Sequence, residues 1–353
     1  MRVLRGTAIA VFALLASACT EQSITDTSRE KDLTRLPSFL AANASVVIHF
    51  EPMESGIWYV PGTIHGQDDW SSTGSFDHVV VLNAAAIPAY SYPTFELQSL
   101  RISNAVTSGS FGDQTFSKRS ANYAGETESN CSIYCQGTRQ SHFEVEWDFA
   151  STISAAEQPG LAVSASPDRG DGARMSFVRF RDTPTGLAVD FNDVQGTTSD
   201  PDHCPLLTVN PRSANFTEAT GVATGLNRAV PHTIKLTMDL LEGPSNDIVK
   251  VYVDGSLRHT GTSWEDYYRY DCEAAAHGGN PPIVNRLLYR TAGAPVPANL
   301  GKGFVFDNLS LGTSNAAVAK DDCKNGGWQS LTRADGSPFK NQGDCIQYTN
   351  KGK

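Results

Sequence analysis

The chain has 353 residues, of which 40% are hydrophobic and 19% charged, so it can bury a core and is not globally disordered. Thirty glycines and 18 prolines against four methionines favour many turns over long helices, and therefore an all-β chain over a helical bundle. The formal net charge of −10 argues against a protein that binds nucleic acid or an anionic membrane surface.

Residues 1–18 have the features of an export signal. Arg2 and Arg5 precede an apolar run that is too short to span a bilayer, and small residues stand before Cys19. Residues 14–19 resemble a bacterial lipobox, in which the cysteine thiol is acylated; ordinary signal-peptidase cleavage at the same bond is the alternative. We expect an exported lipoprotein of the bacterial envelope, or a secreted protein if Cys19 is not lipidated.

The composition after the signal predicts three further parts. Residues 19–44 are rich in Thr, Ser, Asp, Glu and Lys and predict a lipidated tether. Residues 45–315 contain short apolar or alternating runs separated by Gly, Pro, Asn and Asp, which predict an antiparallel two-sheet β-sandwich, and residues 316–353 form a short tail. Outside the 232–260 region, the predicted strands are 79–82, 95–102, 142–149, 161–166, 175–180, 187–191, 283–289 and 304–311.

Seven cysteines are present, and six remain if Cys19 carries a lipid. An even number of cysteines in an exported chain predicts disulfides. A zinc site at Cys131 and Cys135 is the weaker alternative, because the sequence has no second pair of ligands at the spacing of a zinc finger. Sequence proximity suggests these bridges: Cys131 with Cys135, Cys204 with Cys272, and Cys323 with Cys345.

Residues 143–149 contain an acidic strand. Glu144, Glu146 and Asp148 alternate with apolar residues, so on a strand the three carboxylates share one face. A retaining glycosidase needs two carboxyls about 5 to 5.5 Å apart, and acids at positions i and i+4 could meet that need if their side chains converge. The interpretation we favour is a half-buried strand with a solvated acidic face.

The clearest strand pattern covers residues 232–260. Residues 232–240 alternate, a Gly-Pro-Ser-Asn-Asp turn follows, and residues 248–253 alternate again. Asp254-Gly255 is a signal for a type I′ hairpin before residues 256–259. Three consecutive antiparallel strands are expected.

The segment 264–270 has the composition of a sugar-binding surface, with aromatic rings beside hydrogen-bonding groups. A role in the core is the alternative, because alternate aromatics on a strand usually face inward and tyrosine can bury its ring while its hydroxyl stays in water. The candidate ligand-binding residues are Trp264, Tyr267, Tyr268 and Tyr270.

Four segments of the body carry a family resemblance. They are Phe50-Glu51, residues 62–70 (Gly-Thr-Ile-His-Gly-Gln-Asp-Asp-Trp), residues 249–255 (Val-Lys-Val-Tyr-Val-Asp-Gly) and residues 304–311. Together they resemble the concanavalin A-like lectin and glucanase (laminin G-like) superfamily, which implies a two-sheet jelly roll whose concave face meets carbohydrate. Laminarinase-like members use a Glu, Asp, Glu series, whereas this chain has Glu, Glu, Asp in residues 144–148.

The resemblance also implies a structural calcium site. If the first and last strands of the body pair, Glu51 and Asp307 lie close together, as such a pair does in many jelly rolls. Carboxylate oxygens suit Ca²⁺, and an exported protein meets calcium. Two exposed carboxylates at strand ends are the alternative.

The tail after Gly312 contains Cys-Lys-Asn-Gly-Gly-Trp and resembles a short tail found on many exported bacterial proteins. It is too small for its own core, so we expect a Cys323–Cys345 bridge to close it.

These observations predict an exported surface or periplasmic lipoprotein whose jelly roll binds a glycan or polysaccharide without cleaving it. No nucleophile elbow, HExxH, P-loop or dinucleotide fingerprint supports another enzyme class. The alternatives are a polysaccharide-degrading retaining glycosidase that uses Glu144, Glu146 and Asp148, and a structural or adhesive envelope protein. Contact with a membrane is expected only through the N-terminal lipid.

Overall fold

The computed structural model describes residues 45–52, 59–86, 95–126, 137–169, 175–196, 214–243, 246–270, 283–291, 293–315, 323–329, 331–333 and 337–351. The signal peptide, Cys19 and the tether lie outside the described residues. Four more predicted disulfide residues also lie outside them: Cys131, Cys135, Cys204 and Cys272. The predictions that rest on these residues remain predictions.

Short strands form most of the elements. The strands are β1 (Ser45–Ile48), β2 (Gly62–Thr63), β3 (Ser71–Thr73), β4 (Asp77–Leu82), β5 (Gln98–Ser103), β6 (Gln114–Phe116), β7 (Tyr123–Gly125), β8 (Arg139–Gln140), β9 (His142–Ser151), β10 (Ala162–Pro167), β11 (Phe177–Thr183), β12 (Gly186–Gly196), β13 (Ala214–Leu226), β14 (His232–Asp239), β15 (Ile248–Val253), β16 (Ser256–Gly261), β17 (Ile283–Val284), β18 (Leu287–Thr291) and β19 (Phe304–Ser314). The helices are α1 (Asn83–Ala86), α2 (Glu265–Tyr270) and α3 (Gln342–Lys351), with 3₁₀ turns at Pro297–Asn299 and Gly327–Gln329.

Two large antiparallel sheets build the body within the described part of the chain. The first sheet has the order β16-β15-β14-β9-β19-β5-β4-β2, with β1 also paired to β19. The second sheet has the order β13-β12-β11-β10-β18-β6-β3. A small third sheet joins β17, β7 and β8, and its β7–β8 pair is parallel. The predicted fold class, an all-β two-sheet antiparallel jelly-roll sandwich, is confirmed.

The core lies between the two sheets and is rich in phenylalanine. Phe149 of the first sheet meets Phe180 of the second with ring centroids 4.5 Å apart, and both side chains are fully buried. Phe304 and Phe306 of β19 complete this aromatic group. Because side chains alternate along a strand, the residues between these positions face outward and form the two outer faces of the sandwich.

Three consecutive strands, β14, β15 and β16, pair antiparallel as predicted. Asp254 and Gly255 both have positive φ, at 50° and 75°, which is the conformation that a type I′ turn requires. The predicted strand 283–289 is instead divided between β17 and β18. Strand β13 was not predicted.

The tail is closed by the predicted disulfide. Cys323 and Cys345 are bonded at an S–S distance of 2.05 Å, 22 residues apart in sequence. Both cysteines are fully buried in a small cluster with Phe339, and Arg333 lies over the Phe339 ring at 4.8 Å. None of the helices in the described ranges is long and apolar enough to cross a membrane.

Candidate functional site

The outer face of the second sheet carries a row of polar residues from distant parts of the chain. Register places Arg290 of β18 opposite Ser164 of β10, Ser164 opposite Arg179 of β11, and Arg179 opposite Asp190 of β12. Neighbouring strands are about 4.8 Å apart, so the Arg290 and Arg179 backbones are separated by about 10 Å. Phe180, the residue after Arg179, is buried in the core, so this row points away from the core.

Two arginines on this face share a buried carboxylate. Arg181 donates from Nε and Nη2 to the oxygens of Asp190 at 2.5 and 2.9 Å. Arg179 Nε lies 3.4 Å from Asp190 Oδ2, and Arg179 Nη2 pairs with Glu218. Burial alone would raise the pKa of Asp190, but hydrogen bonds from Arg181 and the Gly221 amide, with the arginine charges, hold it below its ordinary value. Asp190 therefore fixes two surface guanidinium groups.

The predicted aromatic segment lies at one end of the same face. Its residues Glu265–Tyr270 form helix α2. The Trp264 ring packs on Phe177 of β11 with centroids 5.9 Å apart, and Phe177 shares its face with Arg179. Trp264 Nε1 also donates to the main-chain oxygen of Asn192 at 3.3 Å.

The four predicted ligand-binding residues differ in exposure. Trp264 and Tyr268 are only 6% and 2% exposed and belong to the core, whereas Tyr267 is partly exposed and packs beside Trp264. The side chain of Tyr270 lies outside the described residues. The buried rings of Trp264 and Tyr268 pack beneath the surface of the segment. Contact of this segment with a sugar stays a prediction.

The acidic residues lie on the other sheet. Glu144, Glu146 and Asp148 share the outer face of β9 as predicted, but the expected solvated face is wrong, because Glu144 is 2% and Asp148 4% exposed. Lys235 pairs with Glu144 from the neighbouring strand. Asp148 accepts hydrogen bonds from Thr233 Oγ1 at 2.5 Å and Asn308 Nδ2 at 2.9 Å. Each of the two buried carboxylates is therefore held by its own neighbours.

A buried histidine extends the Glu144 network. His142 Nδ1 lies 2.5 Å from Asp239 Oδ1, and Nε2 lies 3.4 Å from Glu144 Oε2. Burial would lower the pKa of His142, but the charge and hydrogen bond of Asp239, assisted by Glu144, raise it to about 9. The protonated His142 ring and the Lys235 ammonium group therefore place two positive charges beside the carboxylates of Glu144 and Asp239.

The predicted calcium residues are brought together by pairing of β1 with β19. Both are buried, with Glu51 8% and Asp307 2% exposed, so the alternative of exposed carboxylates is wrong. Glu51 Oε1 accepts hydrogen bonds from the amides of Leu97 and Gln98 at 2.8 and 3.0 Å. Burial, together with the charges of Glu51 and Asp148, raises the pKa of Asp307 well above its ordinary value. Carboxylate oxygens are the ligands that a hard cation prefers.

A group of buried acids was missed by sequence reasoning. One carboxylate oxygen each of Glu126, Asp247 and Glu265 lies within 4.8 Å of the others. Asp247 accepts hydrogen bonds from the Leu241 amide at 2.9 Å and from Ser263 Oγ at 2.5 Å. The three residues are far apart in sequence, so no local pattern could have joined them.

No family model matches the chain, and no curated protein matches it. Among solved structures, it is similar to an alginate lyase from Pseudomonas aeruginosa, with 11% identity and a TM-score of 0.30 over 61% of this chain and 83% of that one. It is also similar to an alginate lyase from Chlorella virus, with 12% identity and a TM-score of 0.37 over 70% and 94% of the two chains. It is similar as well to β-agarase A from Zobellia galactanivorans, with 11% identity and a TM-score of 0.35 over 79% of this chain and 97% of that one. Likeness at this level assigns no activity to the chain.

Proposed function

We propose that this protein is a glycan-binding module without catalytic activity, and that it binds on the outer face of the second sheet. The observation that carries the proposal is the pair of guanidinium groups ordered by buried Asp190, beside the partly exposed rings of Phe177 and Tyr267, which pack on buried Trp264. Sugar-binding surfaces combine a few fixed hydrogen-bond donors with aromatic rings that pack on apolar sugar faces.

The arrangement on the first sheet supports binding over cleavage. A strand rises about 3.4 Å per residue, so the α-carbons of Glu144 and Asp148 are about 14 Å apart, and their carboxyls approach each other only if both side chains turn toward one another. A retaining mechanism needs the two carboxyls at about 5 to 5.5 Å. Glu144 is held by Lys235 and His142, and Asp148 by Thr233 and Asn308, in two separate groups.

Retention and product release on a panel of bacterial, algal and plant polysaccharides test the proposal. The protein is the mature chain with Cys19→Ser, which removes the acylation site. We expect retention without cleavage, and about tenfold weaker binding for Arg179→Gln, because one charged hydrogen-bond donor is lost. Arg258→Gln is the matched control, since Arg258 is exposed on β16 of the first sheet.

The other outcomes favour the alternatives. Cleavage that Glu144→Gln abolishes would overturn the non-catalytic proposal and favour the glycosidase. Absence of both retention and cleavage would overturn glycan binding and favour an envelope protein with a protein partner. Equal losses from Arg179→Gln and Arg258→Gln would show that the second sheet is not the binding face.

We further propose that Glu51 and Asp307 hold a structural calcium ion. The cation would neutralise negative charge where the first and last strands of the body meet, close to Asp148. We expect a chelator to lower the melting temperature of the wild type and to have no effect on Asp307→Asn. An unchanged wild-type melting temperature would contradict the proposal.

The location of the protein is also a proposal. The basic residues, the apolar run and the lipobox-like string before Cys19 support export and N-terminal acylation. Incorporation of labelled palmitate that is lost in Cys19→Ser is the expected result. Equal labelling of both proteins would overturn lipidation at this residue.

A further inference from the structure

Arg290 is a buried arginine on the proposed binding face. The residue is 5% exposed, and its Nε is fully buried without a hydrogen bond. Within the described part of the chain, its guanidinium makes neither a hydrogen bond nor an ion pair. A buried charge without such a partner is costly, so a native fold rarely keeps one without a reason.

Between Gln114 and Ser164 on the neighbouring strands, the Arg290 guanidinium has an aromatic ring on one side and lies near a carboxylate that is bound elsewhere. The ring of Phe111, which is 69% exposed, lies 4.2 Å from the guanidinium carbon. Asp113 is near enough for its charge to act on Arg290, but its oxygens accept hydrogen bonds from Ser75, Thr107 and Ser108. Asp113 therefore offsets part of the positive charge of Arg290 without accepting a hydrogen bond from its guanidinium.

A second arginine, directly before the same strand, provides an internal comparison. Arg286 also lies over an aromatic ring, that of Phe116, at 4.2 Å. Its Nε donates to Asp168 Oδ2 at 2.5 Å, so this stacked arginine has a carboxylate partner inside the protein. Arg290 has the same stacking arrangement and no such partner.

Three other buried or half-buried arginines of the body follow the pattern of Arg286. Each pairs with an aspartate at hydrogen-bond distance: Arg101 with Asp77, Arg181 with Asp190, and Arg228 with Asp182. Arg290 departs from this pattern on the face where the ordered row of polar groups lies.

We propose that Arg290 binds the carboxylate of an acidic sugar, which takes the place that an aspartate fills at Arg286. The inference rests on the proposed glycan binding and gives it a ligand class, a polysaccharide that contains uronic acid. A guanidinium fits a planar carboxylate through two parallel hydrogen bonds. The exposed ring of Phe111 lies beside this position and offers an apolar surface to the sugar ring.

Paired ligands provide the test. The mature Cys19→Ser chain is titrated with uronate oligosaccharides of several linkages and with the carboxyl-reduced form of each, at ~0.15 M salt. We expect about 10- to 100-fold tighter binding of the acidic form, the effect of one bidentate charged pair. This preference should fall to within about twofold in both Arg290→Met and Arg290→Lys, because lysine keeps the charge but not the two-pronged geometry.

The control is Arg258→Met, which removes one exposed positive charge from the other sheet and should keep the preference. Arg290→Met should melt no lower than the wild type, because a buried charge without an ion pair is replaced by an apolar side chain. An unchanged melting temperature shows that any loss of binding by Arg290→Met does not come from unfolding.

Each remaining outcome decides between the two proposals. Equal binding of acidic and reduced oligosaccharides would overturn the role of Arg290 and leave glycan binding intact. A preference for sulfated over carboxylated sugars would overturn the uronate class. Failure to bind any oligosaccharide or polysaccharide would overturn glycan binding and this inference together.

Discussion

His142 should make the domain less stable as the pH rises above 6.5. In the folded state its pKa is raised from the ordinary 6.5 to about 9, because Asp239 and Glu144 outweigh the effect of burial. The unfolded chain loses this proton as pH passes 6.5, whereas the folded chain keeps it until about pH 9. The stabilisation is therefore fully present below pH 6.5 and is lost as pH rises to 9.

The size of this effect follows from the same two values. Each tenfold change in proton affinity corresponds to about 1.4 kcal/mol, so the rise from 6.5 to about 9 corresponds to about 3 kcal/mol. His142 is 6% exposed, so solvent screening reduces this value little.

Urea unfolding at pH 6, 7.5 and 9.5 measures this effect. We expect the free energy of unfolding of the wild type to fall by about 3 kcal/mol more than that of His142→Gln between pH 6 and 9.5. His65→Gln is the control, because His65 is exposed and distant from this network. Identical pH dependence of the wild type and His142→Gln would refute the reasoning.

Three further perturbations test other parts of the structure. Burial lowers the pKa of His78 to about 4, so the free energy of unfolding should rise with pH between 4 and 6.5. His78→Gln should reduce this rise in urea unfolding, and an unchanged rise would contradict the prediction. Phe180→Ala should cost about 3 to 5 kcal/mol through a core cavity, while Phe111→Ala on the exposed ring should change unfolding by less than about 0.5 kcal/mol. Cys345→Ser should destabilise the tail by about 3 kcal/mol and speed its proteolysis beyond Asn315, while the melting temperature of the body stays constant. A lower melting temperature of the body as well would show that tail and body unfold together.

Strands β9, β14 and β15 of the first sheet were predictable because their patterns are local. Residues of β9, β14 and β15 alternate strictly, and Asp254-Gly255 occupies a turn whose positive φ values few residue pairs adopt. The pairing of Cys323 with Cys345 followed from their nearness in sequence.

Strand β13 and helix α2 could not be read from such patterns. Residues Ala214–Leu226 contain few large apolar residues, and Gly221 and Gly225 have positive φ where the register with β12 is irregular. The segment from Glu265 is short and aromatic, a composition that suits a strand equally well. Packing of Trp264 on Phe177, which is a tertiary contact, accompanies the helix here.

The candidate site was beyond sequence reasoning for a different reason. Arg290, Ser164, Arg179 and Asp190 become neighbours only through the order of strands in the second sheet. Sequence alone does not set this order, since it depends on which strands pair across long separations. The acidic strand was visible in sequence, but the partners that bury Glu144 and Asp148 come from β14 and β19.

Hydrogen–deuterium exchange with and without a retained polysaccharide tests the central claim most directly. The account predicts slower exchange of backbone amides in β10, β11, β12 and β18 and in α2 when the polysaccharide is bound, with β9, β14 and β15 unchanged. Protection confined to β9, β14 and β15 would place the ligand on the acidic face of the first sheet and contradict the account.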